Sequence, residues 1–575
     1  MSRRGGGPRR WILPLPLSDE RVAGLSASLG IPEDVCRVLL RRGIESPDEA
    51  RAFLKPHLSR VHSPHDLPDM RPAVERVERA LAGGERILVH GDYDADGMSG
   101  AALLTLGLRE IGGDAEAFVP HRTRDGYDLS DVGIARAVEL GATLIVTADC
   151  GVTAYEAVRT AASKGIDVVI TDHHRPGEGL PEAVAVVNPM LRGSRYPFRD
   201  LSGVGVAFKL LTALYERAGV DATRLNQHLD LVALGTVADQ MPLAGENRVL
   251  VRAGLRAMER SRKPGLRSLL SNAGLRPDQR LDAEHISFRL APRLNSVGRM
   301  GEADSGLRLL LATDVQEAQR LADHLERQNS ERRLTDARVY EEVKRQLKAR
   351  LRDEDRAVVL WGDDWHPGVI GIVASRLVEK THRPSVVISF DGEVGRGSGR
   401  SVEGFHLFNA LQECESLLER FGGHRMAAGL TVRRDRVEEL AERIREMARR
   451  DLSERDAVPE LQLDLEVPLS RLGRDLLDWL NHLAPFGSGN PQPILVVRGV
   501  ELDRTSRVGA DGGHLRMQLV DDGKRLPAIG FGLGRRLQEA RSAGRADVAL
   551  EIAENTWNGR REVQARVLDF RPIES

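Results

Sequence analysis

The chain has 575 residues, 41% hydrophobic and 29% charged, a balance that suits about four folded units and excludes a disordered or fibrous protein. Its 83 Lys and Arg against 85 Asp and Glu leave a formal charge of −2, so contact with a polyanion must come from local patches. Aromatics at 4% exclude a surface of many stacking rings, and the widely spaced Cys36, Cys150 and Cys414 match no zinc spacing and suit a reducing cytosol.

Arg3-Arg4 through Arg9-Arg10, followed by Trp11-Ile12-Leu13, superficially has the charge of a secretion signal. Pro14 and Pro16 interrupt the apolar stretch and no small-residue cleavage site follows, so it reads as a mobile basic tail on a soluble, cytoplasmic protein. No apolar run reaches the length of a membrane span. Residues 1–78 read as a helical extension, with Leu39, Leu40, Ala50, Phe53 and Leu54 at helical spacing and Pro32 and Pro64 as breakers.

Over 79–304, the short apolar runs Ile87-Leu88-Val89, Ala117-Phe118-Val119, Leu144-Ile145-Val146, Val168-Val169-Ile170 and Val184-Ala185-Val186-Val187 alternate with helical stretches. That pattern predicts an α/β fold with a doubly wound parallel sheet, whose ligands bind at the carboxyl ends of the strands. Residues 305–352 predict a long, charged connecting helix. A smaller α/β domain is expected over 353–450, with runs at Ala357-Val358-Val359-Leu360 and Val386-Val387-Ile388. Over 451–575 the turn-dense connector Pro485 through Pro491 precedes strands at 494–500, 515–520, 547–552 and 561–568, with Asn558-Gly559 as a hairpin turn. Their regular spacing suggests a compact barrel of the oligonucleotide-binding (OB) type.

The chemistry lies at the predicted strand ends. The first strand runs into His90-Gly91-Asp92-Tyr93-Asp94-Ala95-Asp96-Gly97, where three close aspartates repel one another unless a cation neutralises them. A helix cap accounts for one of them. An EF-hand is excluded, because Leu103 stands where its bidentate Glu belongs. The third strand ends in Thr147-Ala148-Asp149-Cys150-Gly151 and the fourth in Thr171-Asp172-His173-His174. Adjacent histidines on a strand point to opposite faces, so one can ligate a metal while the other supports it or meets substrate. A lone Asp here is mostly a cap and a lone His mostly a surface residue. With His90, Asp94, Asp96, Asp149, Asp172, His173 and His174 at one sheet edge, a metal site is the better account. Asp239, in Gly235-Thr236-Val237-Ala238-Asp239-Gln240-Met241-Pro242, can complete a dinuclear cage. Mixed carboxylate and imidazole ligands suit Mn²⁺, with Mg²⁺ able to share the oxygen-rich positions.

Asp172-His173-His174, with His90-x-x-x-Asp94-x-Asp96 upstream, resembles the DHH phosphoesterase superfamily. Phe421-Gly422-Gly423-His424-Arg425-Met426-Ala427-Ala428-Gly429 resembles the glycine-rich motif of the associated DHHA1 domain. The order of parts, including Ala291-Pro292-Arg293-Leu294-Asn295, Gly397-Ser398-Gly399-Arg400-Ser401 and Pro485 through Pro491, is similar to the bacterial RecJ family over nearly the whole chain. The resemblance implies a 5′-to-3′ exonuclease that degrades single-stranded DNA to 5′-mononucleotides by two-metal hydrolysis, in recombination and repair. It implies ligation by Asp94, Asp96, Asp149, His173 and Asp239, with His90 in the superfamily's first motif and Asp172 and His174 supporting the site or contacting substrate.

The DHHA1-like segment would hold the strand. Gly422, Gly423 and Gly429 let the backbone approach a phosphate, and His424 would donate to a phosphate oxygen. Arg396, Ser398, Arg400 and Ser401 offer donors from a flexible loop, a glycine-rich hairpin being the plainer alternative. Arg293 and Asn295 are further substrate-binding candidates. Selectivity for single strands would be steric, from a channel between the two α/β domains. The implied cofactors are two Mn²⁺ or Mg²⁺ ions. The implied partners are single-stranded DNA, a single-strand-binding protein and a helicase, and the expected state is a monomer. Two other readings stay open: a DHH-type phosphodiesterase for short oligonucleotides or small nucleotides, and a catalytically silent single-strand-binding scaffold.

Overall fold

Where apolar runs alternate with helical stretches in the sequence, the computed structural model has strands and helices; it describes residues 9–121, 125–126, 128–276, 279–300, 303–352, 354–557 and 560–573. Two compact units result. One holds Arg51–Glu331 and Leu483–Gln492, the other Met1–Ala50, Arg332–His482 and Pro493–Ser575. The first strand, β1 (Arg10–Ile12), corrects the expectation of a tail. It pairs in parallel with Glu460–Gln462, and buried Trp11 donates its indole Nε1–H to Asp569 at 2.7 Å. The residues before Arg9 lie outside the described ones. Among the described residues, no helix is long and apolar enough to cross a membrane.

The unit of residues 51–331 is built on β2 (Arg86–Gly91), β3 (Asp114–Phe118), β4 (Leu144–Ala148), β5 (Asp167–Thr171) and β6 (Ala185–Val187). All five strands run parallel, in the order β3-β2-β4-β5-β6. Both faces are covered, which explains why the strands read as continuous apolar runs. Ile87, Val89, Leu144, Val146 and Val169 pack with the helices Ala95–Glu110, Gly203–Arg217 and Leu229–Ala238. Leu88, Ile145, Val168 and Ile170 pack with Asp131–Leu140 and Tyr155–Ser163. Strand order reverses between β2 and β4, and the crevice at their carboxyl ends is where such sheets bind ligands.

The charged stretch expected as one helix is two. Ala303–Leu311 ends before Val315–Arg350 begins, and Asp314 accepts from Glu317 N–H at 2.8 Å to start the second helix. In the other unit, β7 (Val358–Asp363), β8 (Ser385–Asp391), β9 (Val394–Arg400), β10 (Leu418–Gly423) and β11 (Ala427–Arg433) form one sheet in the order β10-β11-β9-β8-β7. Only β7 and β8 are parallel. The glycine-rich run 395–400 is not a flexible loop but a central strand, one arm of the antiparallel β8–β9 hairpin, as the plainer alternative had it. Gly395, Gly397 and Gly399 face a core in which an added side chain would meet Phe390, Leu430 and Leu407. Alternation leaves Arg396, Ser398 and Arg400 on the opposite face.

After β12 (Glu460–Gln462) and β13 (Leu465–Glu466), the strands β14 (Leu495–Val508), β15 (His514–Asp521), β16 (Lys524–Gly530), β17 (Arg545–Trp557) and β18 (Arg560–Pro572) close into a barrel, because β14 pairs with both β15 and β17. Strand β16 was not among the expected strands, and it contains Pro527. It is tolerated because β16 meets β18 only at Ala528 and Ile529, so no partner there needs the missing N–H. The hairpin residues Asn558-Gly559 lie outside the described residues, between antiparallel β17 and β18.

Gly397→Val would drive a side chain into Leu430 and Ile388, whose atoms already stand 2.8–3.0 Å from a Cβ placed there. It is expected to cost about 1–3 kcal/mol of stability, read as a lower urea midpoint, whereas Ser398→Ala on the opposite face leaves the midpoint unchanged.

Candidate metal centre

Backbone hydrogen bonds carry the parallel sheet one residue past its strands. Asp92 N–H donates to Ala148 O (3.3 Å), Asp149 N–H to Thr171 O (3.0 Å) and Asp172 N–H to Val187 O (3.2 Å). Three aspartates are thereby fixed side by side. Asp149 takes a left-handed conformation (φ 65°), which Asp tolerates better than most residues. Asp94 caps the helix Ala95–Glu110, accepting from Asp96 N–H and Gly97 N–H at 2.9 and 3.1 Å. Asp96 in turn accepts from Gly203 N–H and Val204 N–H at 2.8 and 3.1 Å, at the start of the helix Gly203–Arg217. Two glycines make room for these carboxylates. A Cβ on Gly203 would lie 2.5 Å from Asp149 Oδ1, and one on Gly235 would lie 2.4 Å from Asp96 Oδ1.

Three groups of possible ligand atoms adjoin: Asp149 with His173 and His174, Asp96 with His173 and Asp239, and Asp92 with Asp94 and Asp149. Asp149 and His173 each belong to two groups, so the three share members. His173 Nε2 stands 3.0 Å from Asp149 Oδ1 and 3.6 Å from Asp239 Oδ2. Both Nε2 and Oδ1 are buried, yet neither has a hydrogen-bond partner. Buried polar atoms are seldom left in that state, and a shared cation would satisfy both. The donor set of carboxylates and imidazoles fits a hard or borderline divalent ion.

Burial and neighbouring carboxylates push Asp96 up to about 7, Asp239 contributing more than Asp94. Burial and Asp94 push Asp239 up to about 7. Asp149 is raised well above the usual carboxylate range by burial and then by Asp96, Asp94, Asp239 and Asp92. Burial lowers His173, which favours the neutral imidazole a metal requires. For Asp172 burial acts upward, but the bond from His174 Nδ1 (2.8 Å) and backbone donors hold it below its ordinary value. Burial likewise works against charge on His174, and Asp172 overrides it, lifting His174 to about 9.

The structure redistributes several expected roles. His90 shares a face of β2 with Leu88 and points away from the carboxylates, toward Phe118 and Gly133, with its Nδ1 3.6 Å from Cys150 Sγ. Strand β5 ends at Thr171, so alternation does not govern His173 and His174. Their ring centroids lie 4.5 Å apart and both rings approach Asp149. Asn295 accepts from Ala95 N–H at 2.8 Å and, with Asp92, Tyr93, Asp94, His174 and Arg299, lines a cavity of about 200 Å³. Arg293 is bound instead to Glu326 and to the carbonyls of Arg289 and Asn272.

In the other unit, Ser401 is buried with its hydroxyl donated to Phe405 O, while Ser398 and Arg400 share the other face of β9, half-buried beside Gly371 of the helix Pro367–Thr381. Gly422 stands opposite Gly429, a strip of bare backbone across two strands, and Gly429 stands opposite Ser398 on the third. Gly423 (φ 137°) and exposed His424 form the adjoining turn. Sequence reasoning assigned no role to Asp92, Gly203, Gly235 or Arg299. For Asp92 its place in the triple-aspartate run was the available signal; the others offered none.

Family models match three stretches: the DHH family N-terminal domain over residues 86–236, the DHHA1 domain over 354–450 and the RecJ OB domain over 463–569. The chain is 35% identical over 562 residues to the single-stranded-DNA-specific exonuclease RecJ of Bacillus subtilis, covering 97% of this chain and 70% of that protein. The crystal structure of Thermus thermophilus RecJ in complex with Mn²⁺ is similar with a TM-score of 0.84 and 33% identity, over 98% of this chain and 80% of that one. The structure of the same protein with Mg²⁺ gives 0.78 and 31% over 98% and 79%.

Asp96 and Asp239 hold protons in the folded, metal-free protein up to about pH 7, against an ordinary value of 3.8. Between those limits the folded state binds more protons than the unfolded one, so stability falls as pH rises. His174 adds stability that is lost as pH rises through about 9. A divalent cation such as Mn²⁺ is therefore expected to raise the melting temperature more at pH 8 than at pH 5. Equal shifts in thermal melts with and without chelator would rule out these carboxylates as the binding groups.

Proposed function

The chain belongs to the RecJ family of DHH–DHHA1 proteins, and from that premise we propose that it is a metal-dependent exonuclease that degrades single-stranded DNA from the 5′ end to 5′-mononucleotides in recombination and repair. The observation that carries the reading is the pair of buried atoms Asp149 Oδ1 and His173 Nε2, 3.0 Å apart and without a hydrogen bond, where the acid–imidazole groups share members. Asp92, Asp94, Asp96, Asp149, His173 and Asp239 would hold two ions, Mn²⁺ or Mg²⁺. Such ions, when bound, lower the pKa of water and stabilise charge on phosphate oxygens.

The protein's own residues do the rest. Asp172 fixes the His174 ring, and the resulting imidazolium faces the cavity that Arg299 and Asn295 also line. Charged donors of this kind suit a phosphate. Asp94 and Asp96 are held by helix N-termini, whose backbone N–H groups stabilise carboxylate charge. In the other unit, the backbone strip of Gly422 and Gly429 beside Ser398, Arg400 and His424 supports a sugar–phosphate contact. The closed barrel, matched by the RecJ OB domain, supports a second grip on the strand. The chain runs past the DHHA1 domain into that barrel and keeps its full acid–imidazole cluster, so neither small-nucleotide hydrolysis nor silent binding is favoured. We extend the reading to a cytoplasmic monomer working with a single-strand-binding protein and a helicase.

A long single-stranded DNA labelled separately at each end, incubated with Mn²⁺, Mg²⁺ or chelator, tests this reading. The 5′ label is expected to leave first as mononucleotide, only with metal and not with Asp149→Ala. Asp172→Asn, which loosens His174, should lower activity about 10–100-fold, as loss of an outer-shell partner does. A long strand left intact under every condition would refute the exonuclease.

A further inference from the structure

Asp239 follows the helix Leu229–Ala238, and the helix alone does not set its place. The helix ends with Gln240 in the left-handed region (φ 59°), Gln240 N–H bonded to Val237 O and Met241 N–H to Thr236 O, each at 3.2 Å. This is a Schellman ending, in which glycine is the usual left-handed residue. A residue with a Cβ is strained there and persists only where its surroundings fix it.

The surroundings are supplied by a distant stretch of chain. Leu243 N–H donates to Ser488 O at 2.7 Å. A Cβ on Gly489 (φ 68°) would lie 2.9 Å from Pro242 Cβ, and one on Gly487 would lie 2.8 Å from Leu243 Cδ1, so the turn seats directly against the residues that follow Asp239. Asn490, 1% exposed, closes that turn. Its amide donates to Leu483 O and Pro485 O at 2.9 and 2.7 Å, and its backbone exchanges hydrogen bonds with Gly487. In the helix Gly245–Glu259, Arg248 donates to Ala484 O at 2.8 Å and Asn247 to Pro242 O at 3.1 Å. Pro242 and Leu243 are thus gripped by the turn and by the next helix together.

We infer that Leu483–Gln492 is a latch that positions Asp239 for the metal centre, with Gly487, Gly489 and Asn490 as positioning residues for a carboxylate they do not touch. The latch deepens the proposed function and rests on Asp239 being a ligand.

Mn²⁺ binding to the metal-stripped, full-length protein, measured by calorimetry with circular dichroism and thermal melts as checks of folding, tests it. Gly489→Ala and Asn490→Ala are expected to weaken binding of one ion about tenfold, the scale of outer-shell changes. The Mn²⁺ concentration for half-maximal activity should rise by the same factor, and excess Mn²⁺ should restore kcat. Combined with Asp239→Ala, Gly489→Ala should weaken binding no further. Wild-type affinity in the folded latch variants overturns the latch. Unchanged binding in Asp239→Ala overturns the underlying site instead. Should both latch variants fail to fold, the milder Gly487→Ala decides, since its methyl meets only the end of the Leu243 side chain; wild-type affinity there overturns the latch.

Discussion

Everything in residues 51–331 is arranged around a concentration of negative charge that water does not relieve. Asp92, Asp96 and Asp149 are buried near one another, with Asp94 and Asp239 at their edge. Two like charges at about 4 Å repel by about 4 kcal/mol even at an effective dielectric constant of 20. The fold opposes that repulsion by geometry. Parallel strands end in register, backbone bonds carry the sheet past each strand end, and helix N-termini meet Asp94 and Asp96. Gly203 and Gly235 allow the helices to come close enough. What remains unbalanced, Asp149 Oδ1 beside His173 Nε2, is the part that a cation would complete.

Much of this was legible in the sequence, for a physical reason. A sheet covered on both faces needs uninterrupted apolar strands, and the polar residues that follow such runs have nowhere to go but the sheet edge. The family followed from several motifs in order, and the OB-type barrel from strand spacing. The failures came where tertiary contacts override local pattern. His90 sits among the strand-end polar residues, but pleating turns it to the other face. The glycines of β9 look like loop punctuation, yet their spacing of two is the spacing of a strand pressed against bulky neighbours. Strand β16 was missed, and a short break divided the charged helix. Ser401 and Arg293 had the right chemistry and the wrong direction, while Gly203, Gly235 and Arg299 matter only through residues far away in the chain.

The two units divide the chemistry by type of surface. One presents buried carboxylates and imidazoles at the end of a parallel sheet, suited to holding cations and a phosphorus centre. The other presents a mixed sheet with an open glycine strip and a closed barrel, suited to sugar–phosphate backbone. Grip on a strand through phosphates rather than bases is indifferent to sequence, which is what an enzyme that must consume any strand requires.

The long-range closures also bear on how the protein is made. Trp11 hydrogen-bonds Asp569 across 558 residues, and Leu243 bonds to Ser488. Synthesis is vectorial and domains generally fold as they emerge, the N-terminal ones first. The parallel sheet can form early on the ribosome, but Leu243 cannot bond to Ser488 until residues near 490 have left the exit tunnel. A nascent chain therefore carries the carboxylates well before it carries the contact to Ser488, so a polypeptide cut short before residue 483 leaves the cell with a sheet but without that contact.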